Sequence, residues 1–216
     1  MKMKFAVASS LIFCILMATS ETSSAKNDVD KIMNRVEKTL DNLKTLYCSF
    51  ERSYYSKVSD KTSKISGKIF LKEPNLLRVE YPAQTVVVDG EKTWVYVPKN
   101  NQVQISNFIE GDETFPTPHS IFEKYSKDRE IEYLGNKEFD GKEHEVLNLI
   151  PPSTNENYLH VFIDTEINFP VKTIIESSNG DTNTYVLRYI ALNRDIEDDV
   201  FTFVTPEGVE TVDLRE

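Results

Sequence analysis

Regular spacing of apolar residues predicts one helix followed by a series of strands. Between residues 28 and 44 apolar residues recur every three or four positions, and Asp28 can cap the start, so a helix is predicted over 28–44. Beyond it, apolar and polar residues alternate in short segments that are separated by turn sequences such as Asn179-Gly180-Asp181. The predicted strands cover residues 46–50, 65–71, 77–81, 86–88, 94–97, 103–105, 131–134, 145–150, 159–164, 171–177 and 184–192.

Two segments interrupt the alternation. Gly111, Pro116 and Pro118 predict a loop that leads into a short helix within residues 110–127. Residues 198–213 predict a short helical turn, one strand and a proline-limited tail. Roughly ten short strands with helical pieces at two places indicate an α+β fold, in which a large antiparallel sheet curls and is partly covered by helices.

One hairpin is apolar on both of its faces. Residues 86–88 and 94–97 are apolar runs around the turn at 89–92, whereas a sheet with one face in water should alternate. Helices that cover the inner face would explain this pattern, and so would a ligand cavity on that face. The pattern alone leaves both explanations open.

Residues 1–25 have the pattern of a secretory signal peptide. Lys2 and Lys4 precede an apolar stretch, residues 5–18, that is shorter than the about 20 apolar residues a membrane-spanning helix needs. Small residues follow, so cleavage near Ala25 and export are expected, with a membrane anchor or buried helix as the alternative. Residues 26–216 are expected to form a single domain.

Charge and cysteine content narrow the function classes. Cleavage removes two lysines and one glutamate, which changes the formal net charge from −10 to −11. A chain this acidic does not attract nucleic-acid phosphates, so nucleic acid is not an expected partner. Because Cys14 lies in the signal, Cys48 remains alone and no internal disulfide is expected.

Candidate chemistry is sparse. His119, His144 and His160 fall on separate predicted elements without metal-ligand spacing, and no nucleophile elbow, zinc motif or glycine-rich phosphate loop is present. Carboxylates are mostly clustered, as in the run at 197–199. No cofactor, metal or catalytic residue is therefore predicted. The 12 Phe, 10 Tyr and 1 Trp supply apolar surface for ordinary core packing or for a ligand cavity.

The order of these motifs resembles the LolA family of periplasmic lipoprotein carriers. The similarity begins at "LKTLYCSFERSY" (43–54), continues through "LKEPNLLRVEYP" (71–82) and "DGEKTWVYVP" (89–98), and returns in "INFPVKTI" (167–174) and "FTFVTPEGVETVD" (201–213). The resemblance implies an incomplete, strongly curved β-barrel with helices as a lid over a hydrophobic cavity for acyl chains. It further implies a monomeric, non-enzymatic periplasmic carrier of acylated lipoproteins.

The resemblance also implies partners and site residues. Lipoproteins would be received from an inner-membrane ABC-type releasing complex and passed to an outer-membrane acceptor. Related carriers have an arginine directly before the turn proline, associated with locking the lid, where this chain has Glu73; Arg78 on the next strand is the second lid-contact candidate. The strands matched to the family place Leu46, Cys48, Phe50, Leu77, Val79 and Tyr81 in the cavity. Alternation within the strands adds Ile69, Leu71, Val87, Trp94 and Tyr96, and ordinary core packing is the alternative for each of these residues.

Two alternatives keep different function classes open. A lipid-sensing regulatory domain would share the fold, although such regulators normally carry a second domain. An exported hydrolase would need a positioned carboxylate pair, and none stands out in the sequence.

Overall fold

A computed structural model describes residues 20–109, 122, 126, 127, 129–153 and 156–215, with side chains from residue 26 onward. The loop and short helix predicted within residues 110–127 lie almost entirely outside this part of the chain, as do residues 1–19 of the predicted signal peptide. The predicted boundary near Ala25 falls within the first helix, α1, which covers Ser20–Asp41.

The prediction for α1 is correct in type but wrong at both ends. The helix begins at Ser20 rather than at Asp28, so Asp28 is an interior residue whose carboxylate accepts a hydrogen bond from Lys31 Nζ at 3.3 Å. It ends at Asp41 because Asn193, from the far end of the chain, takes over the local hydrogen bonds. The Asn193 side chain accepts from the backbone N–H of Lys44 (2.7 Å) and donates to the carbonyl of Asn42 (3.1 Å).

In the described part of the chain twelve strands follow α1, and each predicted strand up to residue 192 is present, usually with longer ends. Their bounds are β1 Thr45–Ser56, β2 Lys61–Lys72, β3 Leu76–Tyr81, β4 Gln84–Asp89, β5 Lys92–Val97, β6 Gln102–Asn107, β7 Glu130–Phe139, β8 Lys142–Ile150, β9 Tyr158–Asp164, β10 Phe169–Glu176, β11 Thr182–Leu192 and β12 Glu210–Asp213. Short 3-10 turns occupy Pro98–Asn100 and Asp198–Phe201, the second at the predicted helical turn.

The strands form one open, curved sheet in the order β12-β6-β5-β4-β3-β2-β1-β11-β10-β9-β8-β7. Consecutive strands pair antiparallel within β1–β6 and within β7–β11, and β1 pairs with β11 to join these two halves. The exception to the predicted antiparallel sheet is β12, which pairs parallel with β6 because the chain returns to that edge from a distance. The predicted class, an incomplete barrel of α+β type, is confirmed.

Helix α1 packs on one of the two faces of the sheet. We call the face on which α1 packs the inner face and the opposite one the outer face. Ile32, Val36 and Leu40 of α1 share a core with inner-face residues from both halves of the sheet. The buried sheet members of this core are Leu46, Cys48, Leu71, Leu147, Leu149, Leu159, Val161, Ile163 and Phe169. Among the described residues, α1 is the helix that covers this face.

Candidate functional site

Register across β1, β2 and β3 brings most of the predicted cavity residues onto the inner face. Cys48 lies opposite Ile69, and Ile69 lies opposite Val79, so each row of side chains crosses three strands on one face. Directly paired residues point to the same side of a sheet. The predicted residues that share the inner face are Leu46, Cys48, Phe50, Ile69, Leu71, Leu77, Val79 and Tyr81.

Three of these residues are covered by α1 and form solid core. Leu46 and Cys48 are fully buried, Leu71 nearly so, and all three belong to the cluster that contains the apolar side of α1. Burial raises the pKa of the Cys48 thiol to about 12, which leaves no nucleophilic thiolate at neutral pH. Cys48 therefore acts as a small apolar residue.

Four others form an apolar surface beside the helix that keeps access to solvent. Phe50, Ile69, Leu77 and Tyr81 are half-buried, and the rings of Phe50 and Tyr81 meet edge to face at 6.4 Å. Burial raises the pKa of Tyr81, whose hydroxyl accepts a hydrogen bond from the side-chain amide of Gln84 on the next strand. We call these four half-buried residues of β1, β2 and β3 the open patch.

Gly67 shapes the open patch by lacking a side chain. It lies opposite Phe50 in the sheet, and a Cβ at this position would approach the Glu80 carbonyl oxygen to 2.1 Å and a ring carbon of Phe50 to 2.8 Å. Real Cβ atoms do not tolerate such distances from backbone. The strand interior therefore requires glycine here, and the ring of Phe50 occupies the vacated space.

The prediction that Val87, Trp94 and Tyr96 line the same surface is wrong. Val87 pairs with Arg78 on one side and with Trp94 on the other, and Tyr96 follows Trp94 by two positions, so all three lie on the outer face. The turn after β3 contains only two residues, 82 and 83, which fixes this parity. Val86, Val88 and Val95 occupy the inner face instead.

A segment near the C terminus covers these outer-face residues. We define it as residues 196–204 and call it the C-terminal strap. The ring of Phe203 lies 6.5 Å from that of Trp94 and 5.8 Å from that of Tyr96, and Phe201 is only 2% exposed. Val87 is fully buried beneath this layer. The strap thus explains the apolar outer face of this hairpin.

The two lid-contact candidates lie on β3 and in the β2–β3 turn. Arg78 points to the outer face, where its Nε donates to Glu80 (2.6 Å) and its Nη1 donates to the Val200 carbonyl of the strap (3.2 Å). Glu73 is exposed in the β2–β3 turn, and its backbone N–H donates to the carbonyl of Lys44 at 2.8 Å. Arg78 therefore fastens the strap.

A different arginine fastens α1 to the sheet. Arg35 forms an ion pair with Glu145 of β8, and its Nε donates to Asn168 Oδ1 at 3.0 Å. The carboxylate is mostly buried and the guanidinium half exposed. Sequence reasoning missed this contact, because a polar residue within an amphipathic helix gives no sign of a partner 110 residues away.

Neither metal chemistry nor membrane spanning is indicated in the described part of the chain. Within it, no group of three or more His, Cys, Asp and Glu side chains is placed to hold a metal ion. No helix there is long and apolar enough to cross a membrane. What the described inner face offers is apolar contact surface.

Comparison with known proteins identifies the family. The family model described as "Outer membrane lipoprotein carrier protein LolA" matches residues 41–204. An outer-membrane lipoprotein carrier protein of Histophilus somni (strain 129Pt) is 29% identical over 194 residues, which cover 88% of this chain and 89% of that protein. The match includes β1 to β11 and the strap.

Two solved structures show the same fold at low sequence identity. An uncharacterized conserved protein from Thermus thermophilus aligns with a TM-score of 0.56 at 13% identity, over 86% of this chain and 99% of that one. The lipoprotein LppX of Mycobacterium tuberculosis aligns with a TM-score of 0.51 at 10% identity, over 81% of this chain and 100% of that one.

Proposed function

The chain belongs to the LolA family of outer membrane lipoprotein carrier proteins, and from this premise we propose that it carries lipoproteins by binding their acyl chains on its inner face. The observation that carries the proposal is the open patch of Phe50, Ile69, Leu77 and Tyr81, which is apolar, only half-buried and placed beside α1. An acyl chain that lies on this patch would bury it, as α1 buries the neighbouring core residues.

Energetics explain why acylated proteins need such a carrier. Each buried methylene contributes about 0.8 kcal/mol, so about three acyl chains hold a lipoprotein in a bilayer by tens of kcal/mol. Spontaneous release into water is therefore negligible. Transfer from a bilayer to an apolar protein face exchanges one dry environment for another, and a modest external driving force then decides the direction.

The proposed route follows from the same premise. The chain is exported through its N-terminal signal, cleaved near Ala25, and works in the periplasm between the two membranes. It receives lipoproteins from an inner-membrane ABC-type releasing complex and passes them as a monomer to an outer-membrane acceptor. Cleavage at Ala25 would leave Asp28 in the first turn of a shortened α1, where a carboxylate is favoured by the helix dipole.

A carrier role fits the described chemistry better than the alternatives. The thiol of Cys48 is buried and protonated, and His144 is buried with its Nδ1 at 3.0 Å from the Lys142 carbonyl. A hydrolase would need an accessible acid, base or nucleophile beside the apolar surface. A lipid-sensing regulator would use the same face, and transfer of cargo distinguishes it from a carrier.

Lipid binding and transfer test the proposal directly. The mature chain should displace a fluorescent fatty-acid probe and should release lipoproteins from inner-membrane vesicles that contain the releasing complex. Leu77→Glu should abolish both activities without unfolding the chain, because Leu77 is only half-buried and a carboxylate there opposes acyl contact. Val58→Glu is the matched control, since Val58 is 91% exposed in the β1–β2 turn.

The outcomes separate the function classes. Probe binding without lipoprotein release would favour the lipid sensor. Absence of bound lipid in native mass spectra, together with no probe uptake and no release, would refute the proposal.

A further inference from the structure

One cation lies on the inner face, two residues beyond the open patch. Arg52 follows Leu46, Cys48 and Phe50 in the same alternation along β1, and it pairs directly with Ile65 and Tyr185. Two residues of a strand span about 7 Å, so Arg52 lies about 7 Å along β1 from Phe50, the nearest residue of the open patch on that strand. Along β1 the inner-face side chain thus changes from apolar at Phe50 to cationic at Arg52.

Neighbouring side chains hold this guanidinium in place without neutralising it. Asn183 Oδ1 accepts from Arg52 Nε at 3.0 Å and from Nη2 at 2.8 Å, and the ring of Tyr185 lies 5.8 Å from the guanidinium carbon. Among the described residues, no carboxylate lies within 4.0 Å of Arg52, although the chain has 35 acidic and 25 basic residues. Asn183 fixes the fork geometrically while leaving its positive charge available.

The unused donors suit an oxyanion. A guanidinium has five N–H donors, and the bonds to Asn183 leave the Nη1 side for a ligand. Two parallel N–H donors match the oxygens of a carboxylate or a phosphate. Half-burial of Arg52 strengthens such a contact relative to one made in open water.

We propose that Arg52, held by Asn183 over the Tyr185 ring, binds the oxyanion headgroup of a lipid whose acyl chain lies on the open patch. The inference rests on the proposed acyl-binding function and adds a ligand class to it: lipids with a carboxylate or phosphate at the polar end. The side chain is part-buried, and Phe50 of the open patch precedes it by two positions on β1, on the same face. One ligand can therefore satisfy both parts of the face.

Binding of two lipids that differ only at the polar end tests the inference. Palmitate and 1-hexadecanol have the same chain length, and their affinities can be compared by displacement of a fluorescent probe. A charge-assisted contact should make palmitate bind roughly tenfold tighter than hexadecanol, a difference of about 1.4 kcal/mol. In Arg52→Met, which keeps an apolar stem, this preference should vanish while hexadecanol binding stays unchanged.

Two further variants guard against trivial results. Arg52→Lys keeps the charge without the fork and should retain part of the preference, which provides a second test if Arg52→Met does not fold. Arg188→Met is the matched control, because Arg188 lies on the outer face of β11, where it pairs with Asp140 at 3.1 Å. It should leave the preference intact.

The source of the anion is distinguished by two additional ligands. Lysophosphatidic acid should show the same dependence on Arg52 as palmitate, whereas millimolar inorganic phosphate should not displace the probe. Competition by inorganic phosphate alone would overturn the assignment to a lipid headgroup. Equal binding of palmitate and hexadecanol, or an equal loss of both in Arg52→Met, would overturn the inference and leave the carrier function standing. If neither lipid binds, both proposals fail.

Discussion

The assignment of the two faces predicts opposite effects for two neighbouring apolar residues. Val87 is fully buried on the outer face under the C-terminal strap, and Leu77 is half-buried in the open patch. Val87→Ala removes two methyl groups from a filled core, which should lower the free energy of unfolding by about 2 kcal/mol. For a domain of this size, that corresponds to a fall in Tm of roughly 4–8 °C. Acyl binding should not change.

Leu77→Ala should show the reverse pattern. Because Leu77 is only half-buried, only part of its apolar area supports the fold. The free energy of unfolding should therefore fall by about 1 kcal/mol. The same area contacts the proposed acyl chain, and its loss should weaken probe binding by about fivefold. Thermal unfolding and probe displacement on both variants measure the two effects. Weaker binding by Val87→Ala, or a large Tm loss with unchanged binding for Leu77→Ala, would refute the assignment.

Three further predictions concern other parts of the fold. Gly67→Ala should lower the urea midpoint of unfolding, because the new Cβ would meet the Glu80 carbonyl oxygen at 2.1 Å, at an overpacking cost of roughly 1–3 kcal/mol. An unchanged midpoint would show that this position of β2 does not require glycine. Arg35→Met should leave the Glu145 carboxylate without its cation, so the backbone amides of α1 should exchange with deuterium faster. Glu145→Gln should have a similar effect. Unaltered exchange in both variants would show that the Arg35–Glu145 ion pair does not hold α1 on the sheet. Native Cys48 should resist maleimide at neutral pH and react after unfolding, and rapid labelling of the native protein would exclude its burial. The free energy of unfolding should decline from about pH 9 toward pH 12, because the thiol of the unfolded chain ionises in this range while burial keeps the pKa of the folded thiol at about 12.

Local patterns were sufficient to predict most of the strands. Alternation in β1 and β3 correctly grouped Leu46 with Cys48 and Leu77 with Val79, because each strand has one strongly apolar parity. The ends of α1 were less predictable. Its C-terminal end depends on Asn193, a residue that is close only after the sheet has formed.

The hairpin of β4 and β5 shows why parity failed. Both parities of these strands are apolar, so composition did not indicate which one faces inward. The two-residue turn at 82 and 83 contained the missing information, since it places Tyr81 opposite Gln84 and hence Val86 on the same face as Val79. Counting residues through that turn is enough to exclude Val87 from the inner face.

Long-range polar contacts were not predictable in this way. Arg52 continues the alternation of β1, yet its significance depends on Asn183 and Tyr185 from a strand more than a hundred residues later. The strap was predicted only as a turn and a strand. Its role as a cover follows from the contacts of Phe201 and Phe203, which no local pattern encodes.

The strap also has a consequence for biosynthesis. Arg78 and Val200 are 122 residues apart, so the outer face of β3 to β5 is made early and receives its cover late. During synthesis Val87 and Trp94 stay uncovered until residues 196–204 arrive, and β6 lacks its second neighbour until β12 follows. A nascent chain interrupted before residue 196 would expose both the apolar outer face of β3 to β5 and the unpaired edge of β6. Such fragments would be prone to self-association and easily distinguished from finished molecules by chaperones and proteases.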